Sequence, residues 1–97
     1  MTAQATRAER IRSALQRELV PLQLAVEDES QQHAGHAGAR DGRGHFRVRI
    51  VAAAFAGLPL LARHRRVFAA LGDMMQTDIH ALAIEARTPQ EAGLEHE

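Results

Sequence analysis

The chain has no cysteine, tryptophan or tyrosine, and only three phenylalanines among its 97 residues. All its basic side chains other than histidine are arginine, because lysine is missing as well. Without cysteine there is no disulfide, no thiol nucleophile and no iron–sulfur cluster held by the chain's own thiolates. Any metal must be bound through His, Asp or Glu, or with thiolates lent by a partner. Without lysine, a Schiff-base mechanism and a P-loop lysine are excluded. The core must be built from Leu, Ile, Val, Ala and the three Phe. No run approaches the length of a membrane span, and the start, MTAQATRAERIRS, mixes charges with no signal-like apolar segment. These features predict one small domain over residues 1–97, cytoplasmic and not bound to a membrane.

The formal net charge of zero hides an uneven distribution. Residues 1–29 carry four Arg against five acids, residues 30–66 seven Arg against Asp41 alone, and residues 67–97 Arg87 against six acids. The basic middle could meet phosphates or an acidic surface, or pair with the acidic C-terminal third.

Thr6-Arg-Ala-Glu9 fits a capping box, and Ile11, Leu15 and Leu19 then recur on one face of a helix that ends before Pro21. That helix is compatible with a start as early as Thr2. From Leu22 the period changes to two, with Leu22, Leu24 and Val26 on one face and Gln23 and Glu27 on the other. Phe46, Val48 and Ile50 alternate in the same way with His45, Arg47 and Arg49. The two strands should pair as a hairpin with one buried face and one basic, wet face. After Gly57-Leu58-Pro59, the residues Leu60, Leu61, His64, Val67, Phe68, Leu71, Met74 and Met75 predict a helix with an apolar stripe. Arg63, Arg65 and Arg66 lie off its centre. His80, Leu82 and Ile84 alternate on a third strand, and Thr88-Pro-Gln-Glu91 predicts a short C-terminal helix with a frayed tail over about 88–97. The expected fold is α+β in the order α-β-β-α-β-α, a three-stranded sheet with its helices packed on one face. The helical connection permits the second and third strands to run parallel.

The first two strands are joined by Gln31–His45, QQHAGHAGARDGRGH, which holds three histidines and four glycines. This is long for a hairpin connection and rich in side chains that ligate metals. A self-contained zinc or iron site from His33, His36 and His45 is one reading, although two loop histidines at that spacing are weak evidence for it. A solvated loop that binds nothing is the other.

The ordered segments DES-QQHAGHAGAR, GHFRVRIV, F-x-G-L, RHRRVFAALGD and IHALAIEARTP resemble the BolA family, specifically its bacterial branch, over Ile11 to about Glu91. The resemblance implies a class II KH-like fold, in agreement with the element order read from periodicity. It also implies a non-enzymatic protein that partners a monothiol glutaredoxin, with a [2Fe–2S] cluster shared with that glutaredoxin and glutathione. No cofactor is then expected in the isolated chain, which would be a monomer or weak homodimer alone. The family's invariant histidine corresponds to His80, and its variable loop ligand to His33 or, with the loop aligned otherwise, His36. On strand parity alone His80 would be a core-edge residue. His45 heads a strand on the exposed face, as a spare ligand or a surface residue. Imidazole binds metal only when deprotonated, so such a site should weaken as pH falls through the histidine range.

The resemblance to bacterial members also implies an alternative function, a DNA-binding transcriptional regulator tied to stress responses. Arg47 and Arg49 on the open sheet face, with Arg63, Arg65 and Arg66 on the long helix, would contact phosphates. The stretch Phe55-Ala-Gly-Leu-Pro59 has one glycine where KH domains carry a GXXG loop, and the exposed face lacks stacking aromatics. No nucleophile triad, paired carboxylates or phosphate loop points to an enzyme.

Overall fold

The computed structural model describes residues 6–30 and 43–94. Helix α1 (Arg7–Leu19) opens on the expected capping box, with Thr6 Oγ1 accepting from the Glu9 amide and Glu9 Oε1 from the Thr6 amide. It stops because Pro21 cannot continue it and disfavours helical geometry at Val20. Val20 instead turns left-handed, φ 47°, while its N–H still reaches the Gln16 carbonyl. An earlier start for this helix falls outside the described residues.

Strands β1 (Gln23–Asp28) and β2 (Gly44–Val51) pair antiparallel, from Gln23↔Val51 to Asp28↔Phe46. Strand β3 (Ile79–Arg87) pairs parallel to β2, and the sheet order is β1-β2-β3. Phe46, Val48 and Ile50 point into the core against Ile11, Leu15 and Leu19 of α1, as the alternation predicts. Leu22 does not join them. It precedes β1 and is 62% exposed.

Between β2 and β3 the chain makes a 3-10 turn over Ala53–Phe55, which plants Phe55 in the core, then helix α2 (Leu60–Leu71) and a single turn, α3 (Met74–Thr77). The one long helix expected from the apolar stripe is thus divided at Gly72-Asp73. Its inward face is also rotated from the expected one. Arg63, Val67 and Leu71 are buried, while Leu60 and Leu61 are exposed.

Arg63 explains the rotation. Its guanidinium donates to the Leu58 and Ala86 carbonyls at 2.7 and 3.1 Å and makes a two-pronged pair with Glu91 at 2.6 and 3.0 Å. An arginine paired with a carboxylate and bonded to two carbonyls can occupy an interior position that a pattern of apolar residues assigns to leucine. Beyond β3 the Thr88–Glu91 capping box forms, but it caps only turns over residues 89–93 rather than the expected short helix. The remainder of the expected tail falls outside the described residues.

Candidate functional site

The end of the sheet where β1 leaves and β2 and β3 begin is tied together by backbone and short side chains. The Ser30 amide donates to Asp28 Oδ1, the His45 amide to Ser30 Oγ, and the Glu29 amide to the His45 carbonyl. Gly44 N–H donates to the Asp78 carbonyl at 2.9 Å. A Cβ on Gly44 would lie 2.7 Å from both the Phe46 ring and Ser30 Oγ. Only glycine allows the two chain ends to approach so closely. Asp78 is anchored in turn by α1: Arg10 contacts its carboxylate at 2.8 Å and Arg7 at 3.2 Å, with the Thr77 hydroxyl at 2.9 Å. The Arg10 contact, then those of Thr77 and Arg7, hold the Asp78 carboxyl below its ordinary value despite its burial.

This anchoring positions two imidazoles. Gly44 pairs with Ile79 and His45 with Ala81, so β3 has one extra residue, His80, at that step. The bulge breaks the strict alternation. Ile79 and Leu82 both contribute to the core, and His80 is turned out to the face that carries His45. This corrects the parity reading, which placed His80 with Leu82 and Ile84. The two rings have centroids 5.1 Å apart and are tilted by 47°. Two imidazoles on one tetrahedral ion, with bonds of about 2.0–2.1 Å, have ring centres about 5 Å apart. The spacing suits a shared metal. Arg43 Nη2 lies 3.4 Å from His80 Nδ1, and since a guanidinium only donates, Nδ1 is the acceptor in that contact.

His33 and His36 lie outside the described residues. Among the described residues no group of three or more His, Cys, Asp or Glu side chains could hold a metal ion. His45 and His80 are the two imidazoles that the described residues bring together at this end of the sheet. Sequence reasoning gave His45 a secondary place, and the missing signal was the bulge, which the apolar pattern of β3 conceals.

The open sheet face is not the basic surface expected. Arg47 pairs with Glu29 at 3.1 Å, Arg49 with Glu27 at 3.3 Å and Glu85 at 3.2 Å, and Arg87 with Glu85 at 2.7 Å. The strand register sets glutamates beside arginines, so the charges cancel locally. Glu29 holds the Arg47 guanidinium more firmly protonated than usual. Arg63 is 8% exposed and is committed to Glu91 and two carbonyls, which removes it from any phosphate-binding surface. Arg65 and Arg66 remain exposed on α2.

The structure thus defines a small α+β protein with a mixed three-stranded sheet and an imidazole pair at one end of it. Residues 15–91 match the model of the BolA-like protein family, and the chain belongs to that family. It is 47% identical over 89 residues to chloroplastic BOLA1 of Arabidopsis thaliana, covering 89% of this chain. The chain spans little more than half, 56%, of that relative's length. It is 36% identical over 81 residues to the DNA-binding transcriptional regulator BolA of Haemophilus influenzae, covering 84% of this chain and 76% of that protein. Among solved structures, the BolA domain of SufE1 from Arabidopsis thaliana superposes with a TM-score of 0.79 at 46% identity, covering 92% of this chain and 99% of that one. The resemblance to the plastid protein exceeds that to the bacterial regulator, which moves the assignment away from the bacterial branch.

Proposed function

We propose that this BolA-like protein is a non-catalytic, cytoplasmic partner of a monothiol glutaredoxin and contributes histidine to a shared [2Fe–2S] cluster. The observation that carries this reading is the His45–His80 pair, 5.1 Å between ring centres, at the root of the histidine-bearing connection. His80 is the fixed ligand, set by the bulge and braced through Asp78. The second imidazole comes from the same end of the sheet. His45 is favoured by its geometry, and His33 or His36 by family resemblance. His33 is three residues beyond Ser30, a span of at most about 11 Å of extended chain. The His45 and His80 imidazoles do not complete the cluster's coordination, so the remaining ligands are thiolates of the glutaredoxin and glutathione. Replacing thiolate by neutral imidazole removes negative charge from the iron and raises its reduction potential.

The test is to mix the purified protein with cluster-loaded glutaredoxin and follow visible absorption and circular dichroism. The wild type should change both spectra and His80→Ala should not. His33→Ala, His36→Ala and His45→Ala then identify the second ligand. An unchanged wild-type spectrum, or a normal response with His80→Ala, would sink the assignment.

A DNA-binding regulator is the second reading, favoured by the name of the Haemophilus influenzae relative and by Arg65 and Arg66 on the exposed side of α2. Its affinity should fall steeply with salt and with Arg65→Glu. Indifference to both would count against it.

A further inference from the structure

Strand β3 is an edge: β2 is its only strand neighbour among the described residues. The Ala86 carbonyl accepts from Arg63 on the outer side, whereas the Arg87 carbonyl accepts from Ala52 on the β2 side. Alternation then directs the N–H and C=O groups of Leu82 and Ile84 outward, like those of Ala86. The strand there reads Ala81-Leu82-Ala83-Ile84, with no charge or proline to discourage pairing, so it is a template for another strand. Beside it a cleft of about 640 Å³ opens between β3 and α2, walled by Leu60, His64, Ile84 and Ala86 among others. Leu60 is 64% exposed, and Phe68, one turn beyond His64, is 39% exposed. The opposite edge, β1, differs: Arg12 caps the Leu24 carbonyl at 3.2 Å, and the strand ends in Glu27 and Asp28.

We propose that the β3 edge is covered by β3 of a second copy of this chain, giving a two-fold dimer with a continuous six-stranded sheet. The strand is self-complementary. Its midpoint is Ala83, and an antiparallel two-fold axis there pairs residues 81–85 of the two copies, stopping short of Ala86, whose carbonyl stays with Arg63. Leu82 then exchanges both backbone hydrogen bonds with Ile84 of the second copy, and Ile84 with Leu82. On the helix side apolar residues oppose apolar residues. On the open side Ala83 opposes itself and Ala81 opposes Glu85, so no like charges meet. The same axis brings together the Leu60–His64–Phe68 rows of the two α2 helices. A β3-to-β3 contact closes, whereas a β1-to-β3 contact would propagate as a filament and would have to displace Arg12. This inference does not depend on the cluster reading.

The test combines sedimentation velocity over a range of concentrations with a single engineered thiol. Across the proposed axis the two Ala83 residues form a non-hydrogen-bonded pair, with Cα atoms about 4.5 Å apart, within disulfide range. Since the chain lacks cysteine, Ala83→Cys has one thiol and should oxidise almost completely to a covalent dimer. Ala25→Cys, on the same sheet face in β1, should not. The wild type should dimerise with increasing concentration, and Ala83→Glu should weaken the dimer about tenfold or more, because it opposes two carboxylates. Leu60→Asp, at an exposed position, should weaken it in the same direction without touching the core. A wild type that stays monomeric, with Ala83→Cys crosslinking no faster than Ala25→Cys, overturns the proposal. A dimer that survives both Ala83→Glu and Leu60→Asp overturns it too.

Discussion

Before β3, a mostly buried carboxylate, Asp78 with its side chain 12% exposed, is held by Arg7 and Arg10, which remain 39% and 46% exposed. After β3 the burial is inverted: the Arg63 side chain is 10% exposed and its partner Glu91 47%. Both clusters pair arginine with a carboxylate, and they do different work. Around Asp78 two surface arginines of α1 reach over a fixed acid, pinning the chain just before the bulge that turns His80 outward. Around Arg63 a buried fork satisfies two backbone carbonyls as well as an acid, and so locks α2 to the end of β3 and to the turn beyond. A buried cation that donates four hydrogen bonds leaves several groups stranded when it is removed. A surface arginine that shares its acid with another does not.

That contrast can be broken at its stronger end first. Arg63→Met should lower the thermal unfolding midpoint more than Asp78→Ala does, because the Leu58 and Ala86 carbonyls lose their side-chain donor while Glu91 loses its charged partner. Arg63→Lys should rescue little, since an ammonium cannot reproduce the planar fork. At the other end, Asp78→Ala should cost about 1–3 kcal/mol in urea unfolding and should also disturb the His45 and His80 ring resonances, whereas Arg63 variants that remain folded should leave those resonances in place. Acid titration separates the two ends further. The hydrogen bond from Arg63, then that from the Thr88 amide, holds the Glu91 carboxyl at about 2 against its usual 4.5. On acidification between those values the unfolded chain takes up the proton first, so the stability Glu91 contributes is complete above about 4.5 and is lost as pH falls towards 2. Glu91→Gln should flatten that part of the stability profile. The smallest effects are expected at Arg65→Glu and Arg66→Glu, within about 0.5 kcal/mol of wild type by the same unfolding assay, because both residues are exposed on α2.

Much of the fold could be read from local rules. The Thr6–Glu9 box, the four-residue spacing of Ile11, Leu15 and Leu19, and the alternation through Phe46, Val48 and Ile50 each describe a segment whose burial depends on its own period. What could not be read depends on distant residues meeting. Arg63 occupies an inward position because Glu91, 28 residues on, and the Ala86 carbonyl satisfy it. No hydropathy pattern encodes that pairing. The arginines of β2 look like a basic face until the register sets Glu27, Glu29 and Glu85 beside them. His80 escapes the parity of its strand through one extra residue opposite the Gly44–His45 step, and that places it against His45. The candidate site was therefore half legible. Resemblance pointed to His80, and only the three-dimensional register brings His45 to it.

The most direct measurement is hyperfine spectroscopy of the reduced cluster in a complex of glutaredoxin with this protein carrying ¹⁵N-labelled histidine. Coupling of the iron spin to imidazole ¹⁵N from this chain, diminished in His80→Ala, is the predicted result. A cluster with no ¹⁵N coupling, or with coupling unchanged in His80→Ala, would contradict the assignment of His80 as a ligand.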